Sequence, residues 1–412
     1  MKFEEVKELS SKYLFQNYGR IDLAFTHGKG CYLYDAEGNE YLDLVSGIAV
    51  NALGYAHPGW VEAVQDQVAK MVHVSNLYYV EEQARLAEKI ASITPGDLDR
   101  TLFVNSGAEA NEGALKLAVR YTGRKKVMSA LNGFHGRTAA ALGATGQKKY
   151  QDTFEALISQ AFEYYGFGDP ESVKGMISKD VAAVIVEPIQ AEGGVRTAQK
   201  EFFKTIRDEC DDKGALMIVD EVQTGIGRTG QWYGIQNYGV VPDIITMAKA
   251  LGGGAPIGAV TSTEEISKVM TPGSHGTTFG GNPLVTASGC AVLDIMKKDK
   301  LVENSRDLGA RWMKDLKAIQ SPKVKEVRGL GLIIGIEMES NEAAIAVQKH
   351  CRDNGVLVNV CHGNTVRLIP PLILNDGQKD RFTALLKECL RNHFRPSRGI
   401  PKQIRIRLHC PF

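Results

Sequence analysis

Two short apolar runs, each ending in a charged residue, limit the possible folds of this 412-residue chain more than any other feature. In the first, Ala215, Leu216, Met217, Ile218 and Val219 lead into Asp220. In the second, Ile244, Ile245, Thr246, Met247 and Ala248 lead into Lys249, followed by Leu251 and three glycines. Continuous apolar runs of this length fit strands buried on both faces of a parallel sheet. Asp220 and Lys249 then stand at the carboxyl ends of strands, the edge where open α/β sheets hold their ligands.

An acid and a lysine so placed suit pyridoxal phosphate, the lysine as its Schiff-base partner and the acid against its pyridinium nitrogen. Plainer readings exist: Asp220 as a helix cap or the acid of a nucleotide site, Lys249 as a solvated loop lysine. The surrounding chain repeats the pattern. Thr101–Asn105 reads as a strand followed by Ser106, Gly107 and Ala108 at a helix start. Ser106 and Glu109 have capping-box spacing, and a helix amino end also offers N–H groups to a phosphate. The strand Lys126–Ala130 leads to Phe134, His135 and Arg137; Val181–Val186 leads to Glu187 and Glu192. An aromatic ring can stack on a flat cofactor, and an arginine can grip a carboxylate through two parallel hydrogen bonds. Taken singly, each also fits core packing or a surface charge.

Strands alternating with helices predict an α/β fold with a mostly parallel central sheet in a large unit, residues 51–297, and a smaller α+β unit at 298–394. Residues 1–50, with a helix over 3–17 and a hairpin around Gly38, are expected to pack with the smaller unit. Residues 395–412 form a basic tail without an acid, expected to be a disordered or extraneous extension. Lysine and arginine total 49 against 48 acids, a net charge of +1, which gives no sign of a nucleic-acid or membrane partner. The seven cysteines form no CxxC, so a metal site lacks support, and with a charged amino end they suggest a cytoplasmic protein.

Together the motifs SGAEANE, FHGRT, EPIQAEGG, IVDEVQTGIGRTG, AKALGGGAPIGA and TTFGGNP resemble the class III aminotransferases, a branch of the fold-type I pyridoxal-phosphate enzymes. The resemblance spans about residues 10–393. It implies Lys249 as the Schiff-base lysine and Asp220 at the ring nitrogen, with Glu221 beside it among the cofactor-binding residues. It implies Val222 and Phe134 on the two ring faces, Gln223 at the phenolic oxygen, and Ser106, Gly107 and Ala108 at the phosphate. Thr278 would reach the cofactor of a second subunit, so the implied unit is a homodimer with shared active sites. Arg137 and Arg367 would take the substrate's distal carboxylate and the α-carboxylate of glutamate. Thr277 would lie near substrate, and Glu192 would cover Arg367 when the donor is an ω-amine. GIAVNALG, HVSNLYY and VRLIPPL look most like the branch that takes N2-acetylornithine, 2-oxoglutarate and glutamate. Other ω-amines (ornithine, 4-aminobutyrate, succinyldiaminopimelate or carrier-linked donors) and a cofactor-binding regulator without turnover are the alternatives. Ala191, Tyr55 and Ala250 depart from residues common in the family, and Ala191 before Glu192 is expected to stiffen that switch.

Overall fold

A computed structural model describes residues 1–392; the expected basic tail, 395–412, lies outside them. Seven strands form the central sheet, in the order Arg100–Val104, Gly258–Ser262, Ile244–Met247, Leu216–Asp220, Val181–Val186, Lys126–Ala130 and Phe162–Tyr165. The Val181–Val186, Leu216–Asp220 and Ile244–Met247 strands are buried at every residue, as their unbroken apolar runs require. Their parallel registers set Ile218 against Ile244 and Ile185, so the charged ends fall along one edge.

The sheet is mixed in one place. Gly258–Ser262 runs antiparallel to both neighbours, pairing Met247 with Ala259 and Val104 with Gly258. The sequence placed this strand at Pro256–Val260. It starts two residues later, because proline has no N–H to give the ladder. Pro256 and Ile257 are left at the carboxyl edge.

Helix starts follow local chemistry. Ser106 caps Gly107–Thr122 by accepting from Glu109 N at 3.2 Å. The reciprocal arm of a capping box is displaced: the Glu109 carboxylate takes the N–H of Asn105, at 2.8 Å. Asn282 caps Pro283–Lys298, with proline in the first turn. The amino-terminal helix ends at Tyr13, shorter than the spacing predicts, and buries no residue.

A two-stranded ribbon and two four-stranded sheets complete the described fold. One joins Phe25–Lys29, Tyr32–Asp35 and Glu40–Asp43 to Val356–Leu357, so the amino-terminal hairpin pairs with a strand over 300 residues away. The other is antiparallel, in the order Val324–Leu330, Ile333–Met338, Thr365–Leu368 and Asn359–Cys361. The helix Leu301–Lys317 packs against the turn between the first two of these strands. A Cβ on Gly309 would lie 2.2 Å from the Gly331 carbonyl oxygen, a backbone atom with no side-chain freedom. Gly309→Ala is therefore expected to destabilise the fold by about 1–3 kcal/mol, the usual cost of overpacking a close contact. Chemical denaturation should show the midpoint shift; an unchanged midpoint would mean the helix moves away at no cost.

Candidate active site

The carboxyl edge of the central sheet opens into a cavity of about 370 Å³. Asp220, Lys249, Ser106, Gly107, Phe134 and Val222 all line it. The acid and the lysine, brought there by adjacent strands, thus share one small space.

Asp220 is buried and fixed by hydrogen bonds at both oxygens. Oδ2 accepts from Asn111 Nδ2 at 2.7 Å and lies 2.7 Å from His135 Nδ1; Oδ1 accepts from Val222 N at 3.0 Å. Asn111 is itself held by Thr246 Oγ1, at 2.7 Å. Burial works against a charge on His135, but the hydrogen bond and charge of Asp220 outweigh it and raise the imidazole pKa. The sequence treated His135 as an ordinary polar group and gave Asn111 no part. Their only sequence signal is position, one at a strand's carboxyl end and one on the first turns of a helix.

Lys249 takes a left-handed backbone conformation, φ 46°, uncommon for a side-chain-bearing residue and frequent at functional sites. Burial pushes its amine down to about 8; Glu192, Asp220 and Glu187 pull the other way, while Arg367 adds to the depression. A tenth or so of such an amine is neutral near pH 7, against well under a thousandth for a free lysine.

The anion-binding end is the helix start at Ser106, Gly107 and Ala108. A Cβ on Gly107 would lie 2.7 Å from Val222 Cγ1, so glycine lets the helix terminus approach that wall. Three features therefore fit pyridoxal phosphate: a helix amino end for its phosphate, an anchored carboxylate for its ring nitrogen, and a neutralisable amine for its aldehyde. Val222 and Phe134 supply apolar wall between them.

Beside the cavity, Arg367 is 1% exposed and faces three polar partners. Its Nη1 donates to Glu192 Oε1 at 2.5 Å and Gln223 Oε1 at 3.1 Å, and its Nε to Asn359 Oδ1 at 2.9 Å. Burial resists ionisation of Glu192, but the Arg367 charge and hydrogen bond hold its carboxyl below the usual value. Glu192 stands on the turn of a two-stranded ribbon, Ile189–Gln190 with Arg196–Thr197, that the sequence did not reveal. Arg137 is exposed, its guanidinium carbon 5.0 Å from the Tyr150 ring centroid and 6.0 Å from that of Phe134.

Six expected residues lie off the cavity lining: Glu192, Arg367 and Arg137, just described, and Thr277, Thr278 and Glu221. Thr277 Oγ1 accepts from Asn105 Nδ2 at 2.8 Å, and Thr278 is exposed. Glu221 corrects the expectation that it binds cofactor. It faces away from Asp220, as successive strand-end residues do. Its carboxylate accepts from Thr224 Oγ1 and from the N–H groups of Gly234 and Ile235, at 2.6–2.8 Å. Burial pushes it up to about 7, and its role is to tie down the 224–235 segment.

Fold and site together define a class. Residues 13–390 match the aminotransferase class III family, and the chain belongs to it. It is 44% identical over 387 residues to the acetylornithine aminotransferase of Methanopyrus kandleri, covering 94% of this chain and 99% of that one. Its structure superposes on an ornithine aminotransferase from Toxoplasma gondii, whose active site holds PLP at partial occupancy. The TM-score is 0.89, with 31% identity over 94% of each chain. An acetylornithine aminotransferase from Elizabethkingia anophelis superposes with a TM-score of 0.84, at 31% identity over 95% of this chain and 99% of that one.

Proposed function

We propose that the chain transfers the terminal amino group of N2-acetylornithine to 2-oxoglutarate with bound pyridoxal phosphate, giving N-acetylglutamate 5-semialdehyde and glutamate. The observation that carries this reading is the Glu192–Arg367 pair, at 2.5 Å beside the Lys249 amine. One site must accept glutamate by its α-amine and acetylornithine by its terminal amine. Free, Arg367 grips the α-carboxylate of glutamate; covered by Glu192, it presents no unpaired charge to the acyl donor's side chain.

The cofactor supplies an aldehyde to receive the amine and a pyridinium ring that withdraws electrons. The chain's own groups do the rest. Lys249 Nζ holds the cofactor between turnovers and then, neutral, moves the proton at the amine-bearing carbon. Asp220 keeps the ring nitrogen protonated, Ser106, Gly107 and Ala108 take the phosphate, and Gln223 reaches the phenolic oxygen. Val222 and Phe134 confine the ring. Arg137, which has no carboxylate partner among the described residues, takes the distal carboxylate, with Thr277 near substrate.

The active unit in this reading is a homodimer, with Thr278 completing a second subunit's phosphate site. Leu77, Tyr78, Tyr79 and Phe279 are exposed on two loops joined by the Asn76 Nδ2 to Gly280 O hydrogen bond, apolar surface that a second subunit would cover in this reading. Among the described residues, no helix is long and apolar enough to cross a membrane. The reading places the enzyme in the cytoplasm, in arginine biosynthesis, with residues 51–297 holding the cofactor and 1–50 with 298–394 as a smaller unit beside them.

The test is a set of initial rates with 2-oxoglutarate and N2-acetylornithine, ornithine, 4-aminobutyrate or succinyldiaminopimelate as donor. N2-acetylornithine should give the highest kcat/KM; a higher value with ornithine would transfer the assignment to that amine. Glu192→Gln separates the two half-reactions. Uncovering Arg367 should cost the acetylornithine half-reaction about tenfold, the worth of one charge-assisted contact, and leave the glutamate half-reaction nearly intact. Equal losses in both would remove the switch from the mechanism.

A further inference from the structure

His135 has a fully buried side chain and two ring nitrogens in unlike situations. Nδ1 lies against Asp220. Nε2 is buried and has no hydrogen-bond partner among the described residues. Buried polar atoms are nearly always satisfied, by protein or by an ordered water.

The surroundings of Nε2 show where such a partner belongs. A Cβ built on Gly133 would lie 3.0 Å from the Ala130 carbonyl oxygen, 3.2 Å from His135 Nε2 and 3.6 Å from Glu187 Oε2. Three polar atoms thus converge on the side of Gly133 where any other residue would carry its Cβ. Glu187, at the end of Val181–Val186, is buried, and its Oε2 accepts from Phe134 N at 3.0 Å. Glu187 forms no salt bridge with a lysine or arginine among the described residues, and His135 is the charge that acts on it most strongly.

We propose that Glu187 is a positioning residue. Through one water over Gly133 it shares a single proton with His135 Nε2, and so keeps the Nδ1–H of His135 on Asp220. Both placements of that proton preserve the inner hydrogen bond. With the proton on Nε2, the imidazolium donates inward to Asp220 and outward through the water to the carboxylate. With it on Glu187, the carboxyl donates through the water to Nε2, and the neutral ring keeps its hydrogen on Nδ1. Passing from one to the other breaks one N–H bond and forms one O–H bond, with no charge leaving the cluster. The tautomer bearing hydrogen on Nε2 alone would turn a lone pair toward Asp220, acceptor against acceptor.

The other charged groups facing the pair are Asp220, Glu192 and Lys249. Burial raises the Glu187 carboxyl, His135 opposes this, and Asp220 reinforces it. For His135, Asp220 outweighs burial and Glu187 adds to the rise. Both groups are therefore inclined to hold the proton, as sharing requires.

The inference rests on Asp220 serving the cofactor nitrogen, but its test reads His135 directly. In the holoenzyme labelled with 15N-histidine, Nδ1 should be protonated from about pH 6 to about pH 9 and Nε2 should give an intermediate shift. Glu187→Gln removes the negative charge, so the Nε2 midpoint should fall by about one unit, a tenfold loss of proton affinity. Gly133→Ala keeps the carboxyl but fills the water's space, and should also abolish the intermediate Nε2 signal. It decides the matter alone if the glutamine variant does not fold. His135 signals unchanged in the folded variants overturn the proposal, even where activity falls. The expected signals in a protein that fails to transaminate would uphold the proton sharing and overturn only the substrate assignment.

Discussion

Replacing Lys249 by alanine is expected to lower turnover by at least about 10²–10⁴-fold, the usual contribution of a positioned general base, and to remove the lysine-bound cofactor's visible absorbance. The two losses have one origin. Lys249 is the amine on the strand edge shared with Asp220, in the cavity bounded by the helix start at Gly107. Borohydride reduction should therefore leave cofactor on the wild-type polypeptide and none on the variant. The amine's depressed pKa adds a sharper test. Only neutral amine attacks an aldehyde, and burial brings this one down to about 8. Reloading of the cofactor-free protein should speed up nearly tenfold per pH unit below that value and level off above it. A rate still climbing as steeply well beyond it would place the amine in a more solvated setting. Full activity in Lys249→Ala would end the aminotransferase assignment.

How much of this was legible in the sequence depends on the distance over which each cause acts. The apolar runs before Asp220 and Lys249 are local, and they fixed both strands and the edge on which the charges stand. The serine cap at 106 was local too. Contacts made across the sheet were not legible. Nothing in SGAEANE says that Asn111, rather than its neighbours, turns toward an aspartate 109 residues away. Direction along the sheet escaped as well: Gly258–Ser262 is buried at every residue, like the parallel strands of the same sheet, and burial in a sheet interior does not depend on strand sense. Glu221 misled because adjacency in sequence means opposite faces at a strand end, a matter of one residue's phase. The pairing of Arg367 with Glu192 came from family resemblance, since neither residue's surroundings in sequence point to the other across 175 positions.

Asp220→Asn should cost about 10²–10³-fold in kcat, in line with the loss of one preorganised electrostatic partner, even though the side chain keeps its shape. The hydrogen-bond inventory explains why so small a change is expensive. Asp220 accepts at both oxygens: Oδ1 from Val222 N, and Oδ2 from Asn111 Nδ2 and His135 Nδ1. An amide has one oxygen and one NH₂ group, so whichever way it turns, a donor meets a donor. If the NH₂ faces Val222, a backbone N–H loses its acceptor. If it faces His135, the ring must shed its Nδ1 hydrogen and take the other tautomer. A buried donor left unsatisfied costs about 1–3 kcal/mol, so unfolding should also come at lower denaturant. Catalysis suffers separately, because a neutral group no longer favours a proton on the ring nitrogen and the carbanion loses its electron sink. Asp220→Glu retains the charge but is one methylene longer in a buried, close-packed site. It should therefore keep the protonated-ring absorbance while losing affinity for the cofactor. Were Asp220→Asn to turn over at the wild-type rate with only its stability reduced, Asp220 would be a structural acceptor for Asn111 and His135, and the ring nitrogen would need another partner.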